Sequence, residues 1–271
     1  MKKTILISGV TGSIGKATAF EVAKTCAKVV LLARNKSKLE ILKNEISSAT
    51  GNNDIDFIVS DLSSIADVKK AVATFKQKYT QLDGLINIAA VYNGKREVTK
   101  DNLEAMFAIN HLAPFILTNG LLDLLKASGS GRVVTVSAPS TTKLNFNDLQ
   151  GEVKYSALSA FGGSKMMNLM FTYALARRLE RTNVQATVVH PGVVKSELTN
   201  EMPWILRFIF GLMAGKPDNA AKRLSLLATS SEYATANGKF YKFDGKEIKS
   251  STYSHDEVLQ EQLWTISENL I

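Results

Sequence analysis

Several features that would assign this chain to a class of protein are scarce in it. The single cysteine, Cys26, excludes an intrachain disulfide, and its place in a helical pattern predicts a buried structural thiol. No apolar run reaches the roughly 18 residues of a transmembrane helix, and the run Thr4–Ser8 is too short for the core of a signal peptide. We therefore expect a reducing, cytoplasmic location, and we expect no metal site.

The chain also lacks a concentrated basic patch, although its formal net charge is +8 and its pI is about 9.4. Its lysines are scattered, without the run of Lys and Arg among aromatic residues that is typical of nucleic-acid surfaces. We expect solvated lysine faces and no nucleic-acid partner, while an anionic cofactor would gain from this field. The 45% hydrophobic share and a mean hydropathy near zero indicate a soluble globule with a substantial core.

No linker, repeat or low-complexity tract interrupts the sequence, so we expect a single domain over residues 1–271. Short Val/Ile-rich runs, mostly without polar alternation, predict strands that are covered on both faces. These runs are Thr4–Ser8, Lys28–Leu32, Asp54–Val59, Gly84–Ile88, Arg132–Ser137, Asn183–His190 and Lys239–Phe243. Helical patterns between them cover Ile14–Lys24, Lys36–Ser48, Ile65–Tyr79, Leu103–Ala127, Ser159–Arg181 and Asp218–Thr229. This alternation predicts an α/β fold, a Rossmann-type doubly wound parallel sheet of about seven strands flanked by helices.

The first strand-to-helix turn reads Ser8-Gly9-Val10-Thr11-Gly12-Ser13-Ile14-Gly15. Glycine in such a turn lets the backbone approach a phosphate, and the following helix N-terminus favours negative charge. A turn that needs glycine only for its own geometry is the simpler alternative. The candidate cofactor-binding residues here are Gly9, Thr11, Gly12, Ser13, Ile14 and Gly15.

The second strand is followed by Arg34 and Asn35, and no acid stands at its end. A dinucleotide fold that prefers NAD usually places an acid there, which bonds the ribose 2′-hydroxyl. Arg34 is suited instead to stacking on adenine and pairing with a 2′-phosphate. The sequence therefore favours NADP(H) over NAD(H), with an ordinary exposed arginine as the alternative.

The most informative segment is Phe161-Gly162-Gly163-Ser164-Lys165, which lies in a long helical pattern. The four-residue spacing places Phe161 and Lys165 on one helix face. The segment resembles the active-site helix of the short-chain dehydrogenase/reductase family, in which a tyrosine stands four residues before a lysine. The resemblance implies that Lys165 binds the nicotinamide ribose, whereas Phe161 keeps the aromatic ring and has no proton to give.

Further motifs resemble this family in order, from Thr4 to about residue 200. The pair Asp61-Leu62 corresponds to residues beside the adenine, although Asp61 equally fits the N-cap of the next helix. Asn87 and Ala89 correspond to residues against which the cofactor ribose lies. A later turn corresponds to the one that grips the nicotinamide amide, through Pro191, Gly192, Val194 and Ser196.

Two more family positions concern catalysis. Asn110 corresponds to an asparagine whose backbone carbonyl holds a water that relays protons to the lysine, and a polar residue satisfying a kink before Pro114 is the simpler interpretation. The fifth strand ends in Ser137-Ala138, where the family has two serines and the second bonds the substrate carbonyl. Ser137 is expected to face the opposite side from Ala138. The candidate catalytic positions are thus Asn110, Ser137, Ala138, Phe161 and Lys165.

Three blocks of sequence are similar to the retinol-dehydrogenase-like branch of the family: Leu144–Gln150, Phe171–Leu179 and His190–Val194. This implies hydride transfer between NADPH and a carbonyl or alcohol. Three functions stay open. The first is an oxidoreductase with a displaced proton donor, for which Tyr92, Ser140, Tyr155 and a water are candidates. The second is a redox-inactive cofactor-binding protein that acts through partners. The third is an enzyme that catalyses a non-redox step in the same pocket.

The very apolar segment near residues 197–215 predicts a lid over a small lipophilic substrate. Ordinary packing and a contact between copies in a homo-oligomer are the alternatives. Contact with a membrane surface is a weaker one, which Trp204, Arg207 and Phe208 would support.

Overall fold

The computed structural model describes residues 2–194 and 215–271. Within them, a seven-stranded, fully parallel sheet has the strand order β3-β2-β1-β4-β5-β6-β7. The strands are β1 (Thr4–Ser8), β2 (Lys28–Ala33), β3 (Ile55–Val59), β4 (Gly84–Asn87), β5 (Arg132–Val136), β6 (Gln185–His190) and β7 (Lys239–Lys242). Each lies on a predicted strand, so the predicted doubly wound sheet is confirmed.

Helices cover both faces of this sheet. In the described residues they are α1 (Ser13–Ala23), α2 (Lys36–Thr50), α3 (Ile65–Lys78), α4 (Ala113–Gly120), α5 (Leu122–Ala127), α6 (Ala157–Leu179), α7 (Asp218–Thr229) and α8 (Glu257–Asn269). A π-helical turn covers Phe107–Leu112, and 3₁₀ turns cover Ser231–Tyr233 and Thr252–His255.

Two features differ from the predicted helices. The stretch Leu103–Ala127, predicted as one helix, contains the π-helical turn, α4 and α5, because Leu121 leaves the helical region with φ −109° and ψ 8°. Helix α8 was not predicted at all. It packs on α6 through Trp264, whose ring lies 3.8 Å from the Arg178 guanidinium.

Two apolar layers lie on the two faces of the sheet. Successive strand side chains point to opposite faces, so Leu6 joins one layer while Ile5 and Ile7 join the other. The first layer contains side chains of α3, α4, α6 and α8, and the second contains side chains of α1, α2 and α7. Helix α6 is buried over Gly163–Ala176 because it packs on both β6 and α8.

The strand order reverses between β1 and β4, which are neighbours in the sheet. In open parallel sheets, ligands bind in the crevice at the carboxyl ends of the strands at such a reversal. Gly9 follows β1 there, and Ala89 follows β4 by two residues. The fold therefore brings the predicted phosphate turn and the predicted ribose site to one crevice.

Cys26 is exposed and has a positive φ of 60°. The predicted buried thiol is wrong, because α1 ends at Ala23 and Cys26 falls in the turn before β2. Across residues 2–194 and 215–271, no helix has the length and apolar character needed to cross a membrane. Ser196 and the predicted lid, apart from Gly215, lie outside the described residues.

Candidate active site

Two glycines in the first turn are required by the packing of the turn itself. Gly9 has a φ of +74°, and a Cβ on it would lie 2.6 Å from the Ala89 nitrogen. A Cβ on Gly15 would lie 2.1 Å from the Gly9 carbonyl oxygen. These contacts are with backbone atoms, so no side chain can move aside to accommodate a larger residue.

Gly12 differs, because nothing in the described residues requires glycine there. Its φ of −85° is ordinary, and a Cβ on it would meet only the Gly9 oxygen, at 3.6 Å. Gly12 is the N-cap of α1, and no side chain caps that helix end. The first-turn N–H groups of a helix lack intrahelical partners and attract anions. The open space at Gly12 and the uncapped helix end thus fit the phosphates of a dinucleotide.

The other predicted residues of this turn surround that opening. Thr11 is exposed beside Gly12, and Ser13 and Ile14 are half-buried in the first turn of α1. The structure therefore brings together all six predicted residues of the turn. Gly9 and Gly15 shape the backbone, and the other four border the space that a phosphate would occupy.

A cleft of about 550 Å³ opens beyond the ends of β2 and β3. Its lining residues are Arg34, Asn35, Val59, Ser60, Asp61, Asp67 and Lys70. The exposed Arg34 makes no hydrogen bond or ion pair to any residue within 2–194 and 215–271. Asp67 lies 3.4 Å from the Lys100 ammonium, so one of the two acids in the cleft is already paired. The cleft accordingly has a positive charge at the end of β2 that lies near Asp61 but forms no direct ion pair within the described residues.

Asp61 and Asn35 have local hydrogen bonds in this cleft. The Asp61 carboxylate accepts from the Ser63 N–H at 2.9 Å and from its hydroxyl at 2.8 Å. Burial opposes ionisation of Asp61, but these bonds and the nearby Arg34 hold its pKa below the usual value. Ser64 caps α3, so the alternative of Asp61 as the cap is wrong. Asn35 caps α2, accepting from Lys38 N–H at 2.9 Å.

The end of β4 carries Asn87, which is buried beside β1. Its amide donates to the Thr118 hydroxyl at 3.2 Å, while its buried Oδ1 has no partner among the described residues. The Ser8 hydroxyl accepts from Ile88 N–H at 3.2 Å and ties β1 to β4 at this point. Leu62, for which a place beside the adenine stays a prediction, is half-buried and packs against the apolar layer that includes α3.

Lys165 lies one helical turn after Phe161 in α6. Its ammonium is 4.9 Å from the centroid of the Phe161 ring, and the residue is only 5% exposed. No carboxylate or other acceptor within the described residues bonds this ammonium. Burial lowers the Lys165 pKa to about 8. A buried cation held only by a ring face is a group that hydroxyls of a bound ribose would satisfy.

Asn110 lies in the π-helical turn and holds the loop after β4. Its side chain accepts from Val91 N–H at 2.8 Å and donates to the Val91 carbonyl at 3.0 Å. Its backbone carbonyl accepts from the Asn168 amide at 2.8 Å. One lone pair of the predicted water-holding carbonyl is therefore already used, and the other is left for a water.

Asn168 and Ser164 belong to this network, and sequence reasoning missed both. Asn168 was the one polar residue in the run Met166-Met167-Asn168-Leu169-Met170, three positions after Lys165. That position in an apolar helix was a signal that the side chain has a specific buried partner. Ser164 accepts from the Asn110 amide at 3.1 Å and donates to the Phe161 carbonyl at 2.8 Å.

The serine hydroxyls at the end of β5 bond the backbone of α6. Ser137 donates to the Lys165 carbonyl at 2.7 Å, and Ser140 donates to the Gly162 carbonyl at 2.8 Å. Ser137 therefore positions the Lys165 backbone, and its catalytic role stays a prediction. Ala138 is half-buried between them and has no hydroxyl to offer.

The turn after β6 packs against the end of β7. Gly192 has a φ of +76°, and a Cβ on it would lie 2.8 Å from the Phe243 ring. Val194 pairs with Gly215 in a parallel bridge, and Gly215 N–H donates to the Val193 carbonyl at 2.9 Å. Pro191, Gly192 and Val194 thus lie at the same carboxyl end of the sheet as the other predicted site residues.

The chain is similar to known proteins over most of its length. The sequence profile of the family described as short chain dehydrogenase matches residues 3–204. The chain is 34% identical over 287 residues to mouse (Mus musculus) retinol dehydrogenase 14, covering 99% of this chain and 86% of the relative. It is 34% identical over 276 residues to human (Homo sapiens) polyprenol dehydrogenase, covering 98% and 84%.

The fold is similar to that of solved structures. A structure of an uncharacterised protein from Mycobacterium paratuberculosis superposes with a TM-score of 0.81 at 27% identity, covering 99% of this chain and 92% of that one. A Shigella flexneri short chain dehydrogenase complexed with NADP superposes with a TM-score of 0.70 at 20% identity, covering 89% and 96%. The profile match and the relatives together show that this chain belongs to the short-chain dehydrogenase family of oxidoreductases.

Proposed function

We propose that this protein is an NADP(H)-dependent oxidoreductase acting on a lipophilic carbonyl or alcohol, with an active site that lacks two usual hydroxyls. The buried Lys165 carries this proposal, because its ammonium has no acceptor among the described residues and faces the Phe161 ring. Such a group is costly to the unloaded protein unless a ligand satisfies it. The cofactor, when bound, would supply or accept the hydride.

The chain's own residues divide the remaining work. The turn between the carboxyl end of β1 and the N-terminus of α1 binds phosphate. The Lys165 ammonium donates hydrogen bonds to the ribose hydroxyls. Ser137 fixes the Lys165 backbone through its 2.7 Å bond, and Asn110 fixes the loop at Val91. Phe161 and Ala138 contribute no proton and no hydrogen bond to the substrate oxygen.

The lipophilic substrate class is supported by the surroundings of Phe161. A small apolar cluster beside it contains Tyr92, Met106, Val91, Tyr155, Ala157 and Ala160. The relatives are named for retinol and polyprenol, which are both lipophilic alcohols. The preference for NADP(H) is supported by Arg34, which has no ion-pair partner in the cleft at the end of β2.

A second candidate function is a cofactor-binding protein without redox turnover. It is favoured by Phe161 and Ala138, which remove both oxygens expected at the substrate carbonyl. The experiment that decides is NADPH oxidation over a panel of lipophilic aldehydes and ketones, with NADPH binding measured separately. Binding without oxidation of NADPH on any carbonyl would favour this second function, or a non-redox reaction in the same pocket.

Location and assembly stay predictions. We propose that the protein is located in the cytoplasm. We also propose that it binds a small lipophilic substrate and no nucleic acid. A single domain and a homo-oligomer are compatible with the chain, and size measurement in solution tests the latter.

A further inference from the structure

We propose that Tyr92 is the proton donor that replaces the missing phenol beside Lys165. This inference rests on the proposed oxidoreductase function and names a catalytic residue for it. Tyr92 lies in the loop after β4, and its ring meets the Phe161 ring edge-on with centroids 5.5 Å apart.

The other candidate hydroxyls near Phe161 are already engaged. Ser137 and Ser140 donate to carbonyls of α6, and Ser164 donates to the Phe161 carbonyl. The Tyr155 hydroxyl donates to the Asn93 carbonyl at 3.1 Å. An aliphatic hydroxyl such as that of a serine or threonine is also a much weaker acid than a phenol.

Tyr92 differs from all of them, since its hydroxyl bonds no residue within 2–194 and 215–271. The residue is only 4% exposed, yet its hydroxyl oxygen is not among the fully buried polar atoms without a partner, so the hydroxyl itself opens onto accessible space. It lacks a hydrogen-bond partner from the described residues and can take one from a ligand. A substrate oxygen placed against the Phe161 ring would provide one.

The loop that carries Tyr92 is fixed in place. Asn110 forms two hydrogen bonds to the backbone of Val91, the residue directly before Tyr92, at 2.8 and 3.0 Å. Lys165 and Tyr92 both contact the ring of Phe161. The Tyr92 ring therefore lies next to the position where the family carries a phenol, and Asn110 fixes the loop that holds it.

Charge and protonation suit donation. Burial raises the Tyr92 pKa, so its phenol is protonated at neutral pH. The titratable groups around it are Tyr155, which interacts with it electrostatically, Glu104, Glu97 and Arg96 beyond Tyr155, and Lys165 across the Phe161 ring. Burial is the cause of the raised Tyr92 pKa, so a positive charge brought close by a bound cofactor would be needed to favour the phenolate.

In the reduction of a carbonyl, Tyr92 acts as the acid. The carbonyl carbon gains a hydride from the reduced nicotinamide, and the electron pair of the C=O π bond moves to oxygen. That oxygen takes the proton of the Tyr92 hydroxyl, whose O–H bond breaks to leave a phenolate. The phenolate regains a proton from solvent. One carbonyl, one reduced cofactor and one proton thus give one alcohol and one oxidised cofactor.

The activity test compares Tyr92→Phe with Tyr173→Phe, a control at another buried tyrosine whose hydroxyl bonds Ser250. We expect Tyr92→Phe to lower carbonyl reduction by about 10²-fold or more, the usual range for loss of a general acid, with NADPH binding unchanged. Tyr173→Phe should have a far smaller effect. Adding Phe161→Tyr to the Tyr92→Phe variant should restore reduction, because it supplies a phenol beside Lys165.

A second readout needs no turnover. The ultraviolet tyrosinate titration of the parent minus that of Tyr92→Phe isolates this phenol, which should titrate above its usual range in the unloaded protein. Bound NADP⁺ should move it to lower pH, because a positive nicotinamide close by favours the phenolate. A Tyr92 titration that NADP⁺ leaves unchanged would overturn the inference.

The outcomes separate the two proposals. If parent and Tyr92→Phe reduce carbonyls equally fast, Tyr92 is not the donor, and the proposed oxidoreductase function stands. If the parent binds NADPH and reduces no carbonyl, the proposed function fails and the role of Tyr92 fails with it.

Discussion

The cofactor side and the substrate side of the crevice resemble the family to different degrees. At the ends of β1 and β2, the turn glycines, an uncapped helix and Arg34 leave space and positive charge for a dinucleotide. At the end of β5 and in α6, we predict from the sequence that Ala138 and Phe161 occupy positions where the family has hydroxyls. Lys165 lies between the two sides, where its ammonium is available to a bound cofactor and to a substrate.

This difference indicates that cofactor binding and proton transfer depend on separate features of this fold. Cofactor binding depends on backbone shape, which the packing of Gly9 and Gly15 enforces independently of any reaction. Proton transfer depends on single oxygen atoms, which a substitution removes without disturbing the fold. Ser137 shows the same separation, because its hydroxyl is retained and bonds backbone.

The largest expected effect is the loss of cofactor binding when a glycine of the first turn is replaced. Gly15→Ala should destabilise the protein by about 1–3 kcal/mol and abolish NADPH binding, because its Cβ meets backbone at 2.1 Å. Gly12→Ala is the matched control, since its Cβ enters open space. It should lower the unfolding temperature far less than Gly15→Ala does, because only an N-cap preference is lost, and it should weaken NADPH binding. Thermal unfolding and cofactor titration measure both, and equal effects of the two changes would contradict the assignment.

Lys165→Met tests whether the residue between the two sides serves the cofactor. The Lys165 pKa of about 8 lies below the ordinary 10.5, so the unfolded chain binds more protons between these values and stability rises with pH there. Below pH 8 the buried charge costs on the order of 3 kcal/mol at most. Lys165→Met should recover part of this cost, remove the pH dependence and weaken NADPH binding.

Denaturant unfolding from pH 7 to 10.5 and NADPH titration measure these changes. Lys38→Met, at an exposed lysine of α2, is the control and should alter neither. Loss of stability with unchanged cofactor binding would make Lys165 a structural residue.

Much of this fold could be predicted, because strands buried on both faces leave Val/Ile-rich runs in the sequence. Helix α8 escaped prediction because it packs through few large apolar side chains, chiefly Leu263 and Trp264, and through stacking of Arg178 on the indole. The division of the stretch Leu103–Ala127 escaped for another reason. A π-helical turn barely changes hydrophobic periodicity, and Asn110 with Pro114 was its only visible sign.

The candidate site shows the same limit. The positions of Gly9, Arg34 and Lys165 follow from the order of motifs along the chain. Whether a hydroxyl is free does not, because the bonds of Ser137 and Ser140 join segments that are distant in sequence. The partner of Asn168, the Asn110 carbonyl, is likewise set only by tertiary packing.

On the substrate side, we expect a gain of carbonyl reduction when the two missing hydroxyls are introduced. Phe161→Tyr with Ala138→Ser should raise carbonyl reduction by at least about tenfold, because a phenol would stand beside the Lys165 ammonium and a hydroxyl beside the substrate oxygen. Each single change should do less, since groups that act as a unit are not additive. Steady-state NADPH oxidation measures it. A folded, NADPH-binding double variant without any gain would show that the pocket differs beyond these two atoms.

The smallest expected effect is on the difference in affinity between NADPH and NADH. The parent should bind NADPH more tightly than NADH, because Arg34 forms no hydrogen bond or direct ion pair within the described residues and a 2′-phosphate would pair with it. Arg34→Ala should cost NADPH binding about tenfold, or roughly 1.4 kcal/mol, and leave NADH binding nearly unchanged. Lys36→Ala is the control, since this exposed lysine lies 3.7 Å from Glu40 on the same helix and outside the cleft lining. Fluorescence titration of both cofactors against the three proteins measures the difference. Equal or reversed preference in the parent would remove the 2′-phosphate role of Arg34 while leaving the phosphate turn at Gly12 intact.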